Sequence, residues 1–399
     1  MVESSRTPTD VWITGIGLVS SLGEGVDAHW NALQSGQINV DSTTFAPRMV
    51  HPLAPLNFDG QIPKKGDQRQ MELWQRIGVY AAGLALDSAG IKGKADILGR
   101  VDMTVAANGG ERDLAVDSKI LTDLIQSNAS PAALNQRLMN DLRPTLFLAQ
   151  LSNLLAGNIS IVHGVTGSSR TFMGEGTSGA DSLRTALARI ASGQSDIALV
   201  GAASNAERKE MLLMYEFGDL NLKDRFAPVW SRGATGGLVL GSGGAFIVLE
   251  SRQHAEARGA KPFAKLSKVV SNAGSREEGA LARRLEDQWE QLQPRTGAVA
   301  ILSSANGSEP TTSEERAFLT NHKDVPVRAT ATSFGSLIEA QFALGVALAA
   351  MSLSNGAFYP PASDSSEVEI NMPRKPSQIV VIDVGAQRGE SMALIEAVG

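Results

Sequence analysis

Residues 171–193 read TFMGEGTSGADSLRTALARIASG, and within them Gly174-Glu-Gly176-Thr-Ser-Gly179 has G-x-G-x-x-G spacing. Such a loop turns tightly and can aim helix N-terminal N–H groups at a dinucleotide pyrophosphate. Two features oppose that chemistry. Glu175 places a negative charge inside the loop, and Asp196 precedes the next strand, whereas a ribose-binding acid should end it about 20 residues on. A second stretch, GIGLVS from Gly15, lacks the third glycine, and no glycine-rich loop ends in the Gly-Lys-Ser or Gly-Lys-Thr of a Walker loop. We expect no cofactor.

Other chemistries are equally bare. The chain has no cysteine, which removes disulfides, thiolate metal sites and every thiol nucleophile. Its five histidines (His29, His51, His163, His254, His322) are scattered, with no pair at helix-face spacing, so no metal site is expected. The G-x-S-x-G elbow of a serine hydrolase is missing; Thr177 and Ser178 are hydroxyls at a helix start with no nominated base. Lys64, Lys65, Arg69 and Arg76 form a basic cluster in a chain of net charge −6. It reads either as a solvated helix start or as a dock for an acidic partner.

The elements that position these residues alternate between strand and helix. VWITGIGLV from Val11 is a short apolar run closed by glycines, a buried strand; VDAHWNALQSG and ELWQRIGVYAAGLALDSAG have helical spacing. Residues 113–163 read as several helices. A strand–helix–strand theme follows in SRTFM, ADSLRTALARIASG and DIALVGAAS, then the strand GGAFIVLES and the helical RQHAEARGA. The theme resumes in FAKLSKVVSNA, GAVAILSSANG, LIEAQFALGVALAAMSLSNG and IVVIDVG. This grammar implies an α/β fold with helices covering apolar sheets. YPPASDSSEVEINMPRKPSQ reads as a surface connection. At 399 residues, 43% hydrophobic and 20% charged, the chain is an ordinary globular protein. Its acidity argues against broad nucleic-acid binding. No apolar run approaches the ~20 residues of a membrane span, and no signal-peptide pattern opens the chain, so a cytoplasmic setting is expected.

Several stretches together resemble the β-ketoacyl-acyl-carrier-protein synthases, condensing enzymes of the thiolase-like fold. They are VWITGIGLVSSLGEGVDAHWNALQSG, ADSLRTALARIASGQSDIALVGAAS and APVWSRGATGGLVLGSGGAFIVLESRQHAEARGA. The resemblance covers nearly the whole chain, strong through Gly259 and weaker beyond. It implies five layers, α-β-α-β-α, from two similar halves (1–255 and 256–399), each with a five-stranded mixed sheet.

The resemblance also implies where the chemistry should be. The family's acylated cysteine sits at a helix N-terminus, where the dipole lowers its pKa; Gly176 holds that position here. Two family histidines polarise the malonyl thioester; Asn306 and Ser336 stand in their places, and Ala331 in that of a lysine. Ala386 holds the place of a gating phenylalanine. Family dimers join through the strand before the nucleophile, here SSRTFM, so Phe172 and Met173 are expected at a partner's acyl tunnel.

Those losses imply a homologue in fatty acid biosynthesis that does not condense by itself. Its implied partners are acyl carrier protein, docking at the basic cluster, and an active synthase in a heterodimer, with this chain as chain-length factor; self-pairing is the other arrangement. KKGDQRQMELWQR, the stretch from Leu142 to Glu175 and APVWSR resemble, more narrowly, the degenerate second synthase of bacterial clusters for very-long-chain fatty acids of lipid A. Two alternatives stay open: an active 3-oxoacyl-carrier-protein synthase using Ser178 or Thr177, and a homodimeric carrier-binding scaffold.

Overall fold

The computed structural model describes residues 9–398 except 109, 112, 128–129, 143–147, 149, 175–176, 234–235, 296, 363–366 and 387–388. Ten main strands order the chain. The first five are β1 (Val11–Ser20), β2 (Asp102–Ala106), β3 (Ser169–Phe172), β4 (Ile197–Ser204) and β5 (Gly243–Ser251). The second five are β6 (Ala264–Asn272), β7 (Val299–Ser303), β8 (Val327–Ala329), β9 (Gln378–Val384) and β10 (Glu390–Glu396). Hydrogen bonding orders them β8-β7-β9-β10-β6-β1-β5-β4-β2-β3.

Numbered within its own half, each array therefore runs 3-2-4-5-1. The senses match too. In both halves strand 2 is parallel to strands 3 and 4, and strand 5 is antiparallel to strands 4 and 1. The repeat that the sequence only hinted at is plain in the topology. The arrays also touch, where β1 and β6 pair at Trp12↔Lys265 and Ile13↔Ala264, so one ladder runs through both.

Helices fill the layers. The main ones in the first half are α1 (Gly25–Gln34), α2 (Lys65–Gln70), α3 (Leu73–Ser88), α4 (Leu114–Ser127) and α5 (Pro131–Asp141). After these come α6 (Leu154–His163), α7 (Thr177–Ala191) and α8 (Lys209–Phe217). The second half adds α9 (Ala280–Leu292), α10 (Thr311–Asn321) and α11 (Gln341–Asn355). Between the arrays lie α7 and α11, sharing one core through Leu183, Ile190, Phe342 and Val346. QFALGVALAAMSLSN carries no charge, and α11 is buried from Gln341 to Leu353, as a helix apolar all round must be. Outside, α3 and α6 cover the first array, and α9 and α10 the second.

The glycines of VWITGIGLV have a packing reason. A Cβ on Gly15 would fall 2.4 Å from the Ala85 carbonyl, and one on Gly17 would fall 2.0 Å from that of Ala81. Backbone of α3 lies directly on β1 there, so only glycine fits. The connection read as lying on the surface proves partly buried: Tyr359 and Glu369 are 5% and 6% exposed, because they cover β8. Among the described residues no helix is long and apolar enough to cross a membrane.

Candidate functional site

Three segments converge at the C-terminal ends of β7 and β9. The loop after β7 carries Asn306, a turn stitched to strand-like residues 239–241 carries Ser336, and the loop after β9 carries Ala386. Together with Ser304, Gln341 and Asp383 they line a cavity of about 20 Å³, roofed by Tyr215 of α8 and by Ile338. That volume has room for roughly one water molecule.

Each wall is held by its own bonds. The Asn306 side-chain oxygen accepts from the Ser308 N–H (2.9 Å) and hydroxyl (2.5 Å), so it is spent on its own turn. The Asn306 carbonyl accepts from Arg232 Nη1 at 2.6 Å. Arg232 is 6% exposed and also donates to the carbonyls of Ala227 and Gly237. Burial lowers its pKa to about 10, which leaves it charged at neutral pH. Ser336 exchanges backbone bonds with Val239 and Gly241 (2.8 and 3.0 Å). Two residues on, Ile338 has φ +50°, a left-handed conformation that is strained for a β-branched residue and here points to a site over-determined by its surroundings.

Behind the cavity runs a buried polar line. Gln341 Nε2 donates to Thr330 Oγ1 (2.7 Å), whose hydroxyl donates to the Ser303 carbonyl (3.1 Å). The Ser303 hydroxyl donates to Glu315 Oε1 at 2.6 Å. Burial pushes the Glu315 carboxyl up to about 8, the Ser303 bond opposing and the charge of Asp383 adding to the rise. At neutral pH Glu315 is therefore mostly a neutral acid.

The remaining expected positions scatter. Ala331 lies in a one-turn helix, Ala331–Phe334, 1% exposed in the core of the second half and off the cavity wall. The alignment that grouped it with the site tracks sequence order, whereas the turn at Gly335 separates the two. Gly176 and Glu175 lie outside the described residues. Thr177 opens α7, with its Cγ2 against Gly389; Ser178 is 2% exposed, and its hydroxyl has no hydrogen-bond partner among the described residues.

No histidine lines the cavity. His29 lies between the Ser20 hydroxyl and the Gly25 carbonyl, His163 bonds the Val79 carbonyl, and His254 and His322 pair with Glu250 and Glu286. His51 packs edge-on to Phe226, and burial drives its pKa down to about 3. The cavity wall therefore offers hydroxyl and amide groups and one carboxyl, that of Asp383.

Two other candidate surfaces are separate. Lys65, Arg69 and Arg76 line an open groove of about 420 Å³ with Gln68, Met71 and Glu72; Lys64 precedes α2 and stays off its wall. Lys65 pairs with Asp59 at 2.5 Å, and the Arg76 guanidinium lies 5.3 Å from the Phe58 ring centre. Phe172 ends the edge strand β3 and Met173 follows it, 63% exposed and with its sulfur accepting from the Ser152 hydroxyl (3.0 Å). Sequence reasoning passed over Arg232, Gln341, Glu315 and Asp383. Of these only Glu315, a charge within the apolar periodicity of α10, carried a local signal.

Two stacked arrays of identical 3-2-4-5-1 order, enclosing a shared helix layer with a cavity at the strand ends, define the thiolase-like class. Residues 9–255 match the family described as β-ketoacyl synthase, N-terminal domain, and the chain belongs to that family. It is 29% identical over 269 residues to the 3-oxoacyl-[acyl-carrier-protein] synthase 2 of Vibrio harveyi, a match covering 64% of this chain and 61% of that protein. It is 26% identical over 379 residues to the actinorhodin polyketide putative beta-ketoacyl synthase 2 of Streptomyces coelicolor, covering 89% and 88%. In fold it is similar to a solved structure titled "The ishigamide ketosynthase/chain length factor" (TM-score 0.79, 19% identity, 98% of this chain and 100% of that one). Another similar structure is a type II polyketide ketosynthase in complex with its acyl-carrier protein (TM-score 0.77, 17% identity, 98% and 100%).

Proposed function

We propose that this chain is a ketosynthase homologue that does not condense acyl groups by itself. It pairs with an active synthase, borders that partner's acyl tunnel and so acts as a chain-length factor in fatty acid biosynthesis. One observation carries this reading: the cavity at the strand ends, lined by Asn306, Ser336 and Ala386, has only about 20 Å³ and no histidine on its wall, in a chain without cysteine. Acyl transfer needs a nucleophile, and decarboxylation needs donors aimed at a developing enolate. The wall carries neither a thiol for the first role nor an imidazole for the second.

The surface supports the pairing. Strand β3 ends the sheet. Met103 N and Ala107 N bond the carbonyls of Ser168 and Phe172, so by alternation the Ser169 and Thr171 backbone groups face outward. Nine of the thirteen exposed large hydrophobic side chains among the described residues fall between Leu114 and Met173, the stretch of chain that leads into and just past this strand. An open edge beside exposed apolar surface is a pairing surface. The resemblance to the degenerate second synthase of lipid A clusters makes very long acyl chains the substrate class, halves dividing near residue 255 the organisation, a cytoplasmic setting the place, and the Lys65–Arg69–Arg76 groove the dock for acyl carrier protein.

The test is direct. The purified chain, given acyl- and malonyl-carrier protein, should form no carbon–carbon product above a blank and no acyl adduct by intact mass. Purified from its native cell, it should bring a cysteine-bearing homologue at one-to-one ratio. Robust condensation by the isolated chain, or an adduct lost in Ser178→Ala, would end the proposal.

A further inference from the structure

Strand β3 runs parallel to β2, with Thr104↔Arg170 and Ala106↔Phe172 in register. Met103 N and Ala107 N bond the carbonyls of Ser168 and Phe172. In such a ladder residues 168, 170 and 172 spend their backbone groups on β2, while Ser169 and Thr171 keep theirs for a strand laid on the open edge. Arg170 lies between those two bonding positions.

For a second copy of this chain, a two-fold axis through the sheet makes the two edge strands antiparallel. Within Ser169–Phe172 one register uses the outward groups of both residues, bonding Ser169 of each copy to Thr171 of the other. It sets Arg170 directly opposite Arg170, at a non-hydrogen-bonded position where the Cα atoms stand about 4.5 Å apart. Like charges directly opposite each other oppose pairing. Sliding the copies by two residues relieves the clash but gives up bonds, because Ser169 or Thr171 then faces a residue beyond the strand.

The charge is not neutralised among the described residues. Arg170 is exposed and has no salt-bridge partner there. Asp102, the carboxylate of the neighbouring strand β2, already accepts from Ser168 N (3.1 Å) and Arg189 (2.9 Å). Resting on the pairing proposed above, we infer that Arg170 selects the occupant of this edge. It disfavours a second copy of this chain and favours a homologue whose edge strand carries aspartate or glutamate opposite it. Specificity is a difference between two affinities, and one charge moves both: it lowers the unwanted affinity and raises the wanted one.

Charge exchange at this one position tests the inference in the full chain. The unaltered chain and Arg170→Glu should each self-associate weakly in sedimentation equilibrium. Their equimolar mixture should pair at least about tenfold more tightly than either alone, because only the mixed pair sets opposite charges across the axis. Arg170→Thr removes the charge, keeps a strand-forming residue and should self-associate about fivefold more tightly than the unaltered chain. The variants should melt with the parent, since an exposed side chain without a partner contributes little to the monomer. Sequencing the homologue that co-purifies from the native cell should find aspartate or glutamate at the matching place. Arg170→Glu should bind that homologue at least about tenfold more weakly, and Arg170→Lys should stay within about threefold of the parent.

A mixture no tighter than its components would overturn the inference, as would an Arg170→Thr chain that self-associates no better. So would a homologue without the acidic residue, or one that binds Arg170→Glu unchanged. Condensation by the isolated chain retires only the proposed function, because the charge exchange is read between copies of this chain and needs neither acyl group nor carrier protein.

Discussion

Strands β3 and β8 hold the same place in the two halves, each the third strand of its array and each a free edge of the common sheet. They meet opposite environments. At β8 the chain seals its own edge. Arg328, 2% exposed, donates to the carbonyls of Tyr359, Val327 and Ile370, and the Glu369 carboxylate accepts from Ala329 N at 2.8 Å. The Phe358 ring lies 4.8 Å beneath the guanidinium. At β3 nothing of the kind is present among the described residues; Ser169 and Arg170 are exposed, and so is Met173 just past the strand. A duplicated fold begins with two equivalent edges. Closing one with a connecting segment leaves the other open, and that open edge is the one proposed above as the pairing surface.

The largest expected effect tests the sealed side. Arg328→Met keeps the volume but leaves three carbonyls and the buried Glu369 without their cation. It should cost about 3 kcal/mol of stability in chemical denaturation, in the range for breaking a buried charged network. A loss under about 1 kcal/mol would mean that the seal is incidental packing.

The open side should respond in association and not in stability. Ile161 is 71% and Met173 63% exposed. Replacing both with glutamate should weaken any dimer about 100-fold in sedimentation, while the monomer changes by no more than about 0.5 kcal/mol. If sedimentation is unmoved, this edge is not the pairing surface and the contrast between the strands has another cause.

The smallest effect sharpens the contrast through pH. Glu315 supports Ser303 at the end of β7, on the sealed side. Its carboxyl titrates near 4.5 ordinarily and near 8 when folded. Between those values the folded chain keeps a proton that the unfolded chain releases, so this group's stabilisation is full below pH 4.5 and is lost as pH rises to about 8. Glu315→Gln should remove that slope, raising the melting temperature relative to the parent by roughly 2 °C or more at pH 8.5 and little at pH 5. A difference independent of pH would place the charge of Glu315 elsewhere.

Much of this architecture could be read from residue order. The apolar run with glycines at 15 and 17 announced β1, and the stretch from Leu337 fell into the alternation of strands and helices, although its burial on all sides is seen only in the fold. Other elements carried no comparable signal. β8 is three residues long, and its burial comes from a segment some thirty residues later that reads as a polar connection. The candidate site divides the same way. Asn306, Ser336 and Ala386 could be nominated from aligned motifs, and they do share a wall. Ala331 could be nominated on the same grounds and lies in the core, because spacing along the chain cannot report the turn at Gly335. Arg276 carried no signal, since the Gly385 and Gly389 carbonyls it bonds lie more than a hundred residues away.

The order of residues by itself settled the alternation of strands and helices, the family and the lack of any thiol, because periodicity, glycine placement and residue identity are local properties. Only the folded chain decided how small the cavity is, which edge of the sheet stays open and what bonds the Gly385 carbonyl. Those depend on backbone carbonyls and charges from distant segments meeting out of water, where each unpaired group is costly and a pairing can be judged only once its partner is in position.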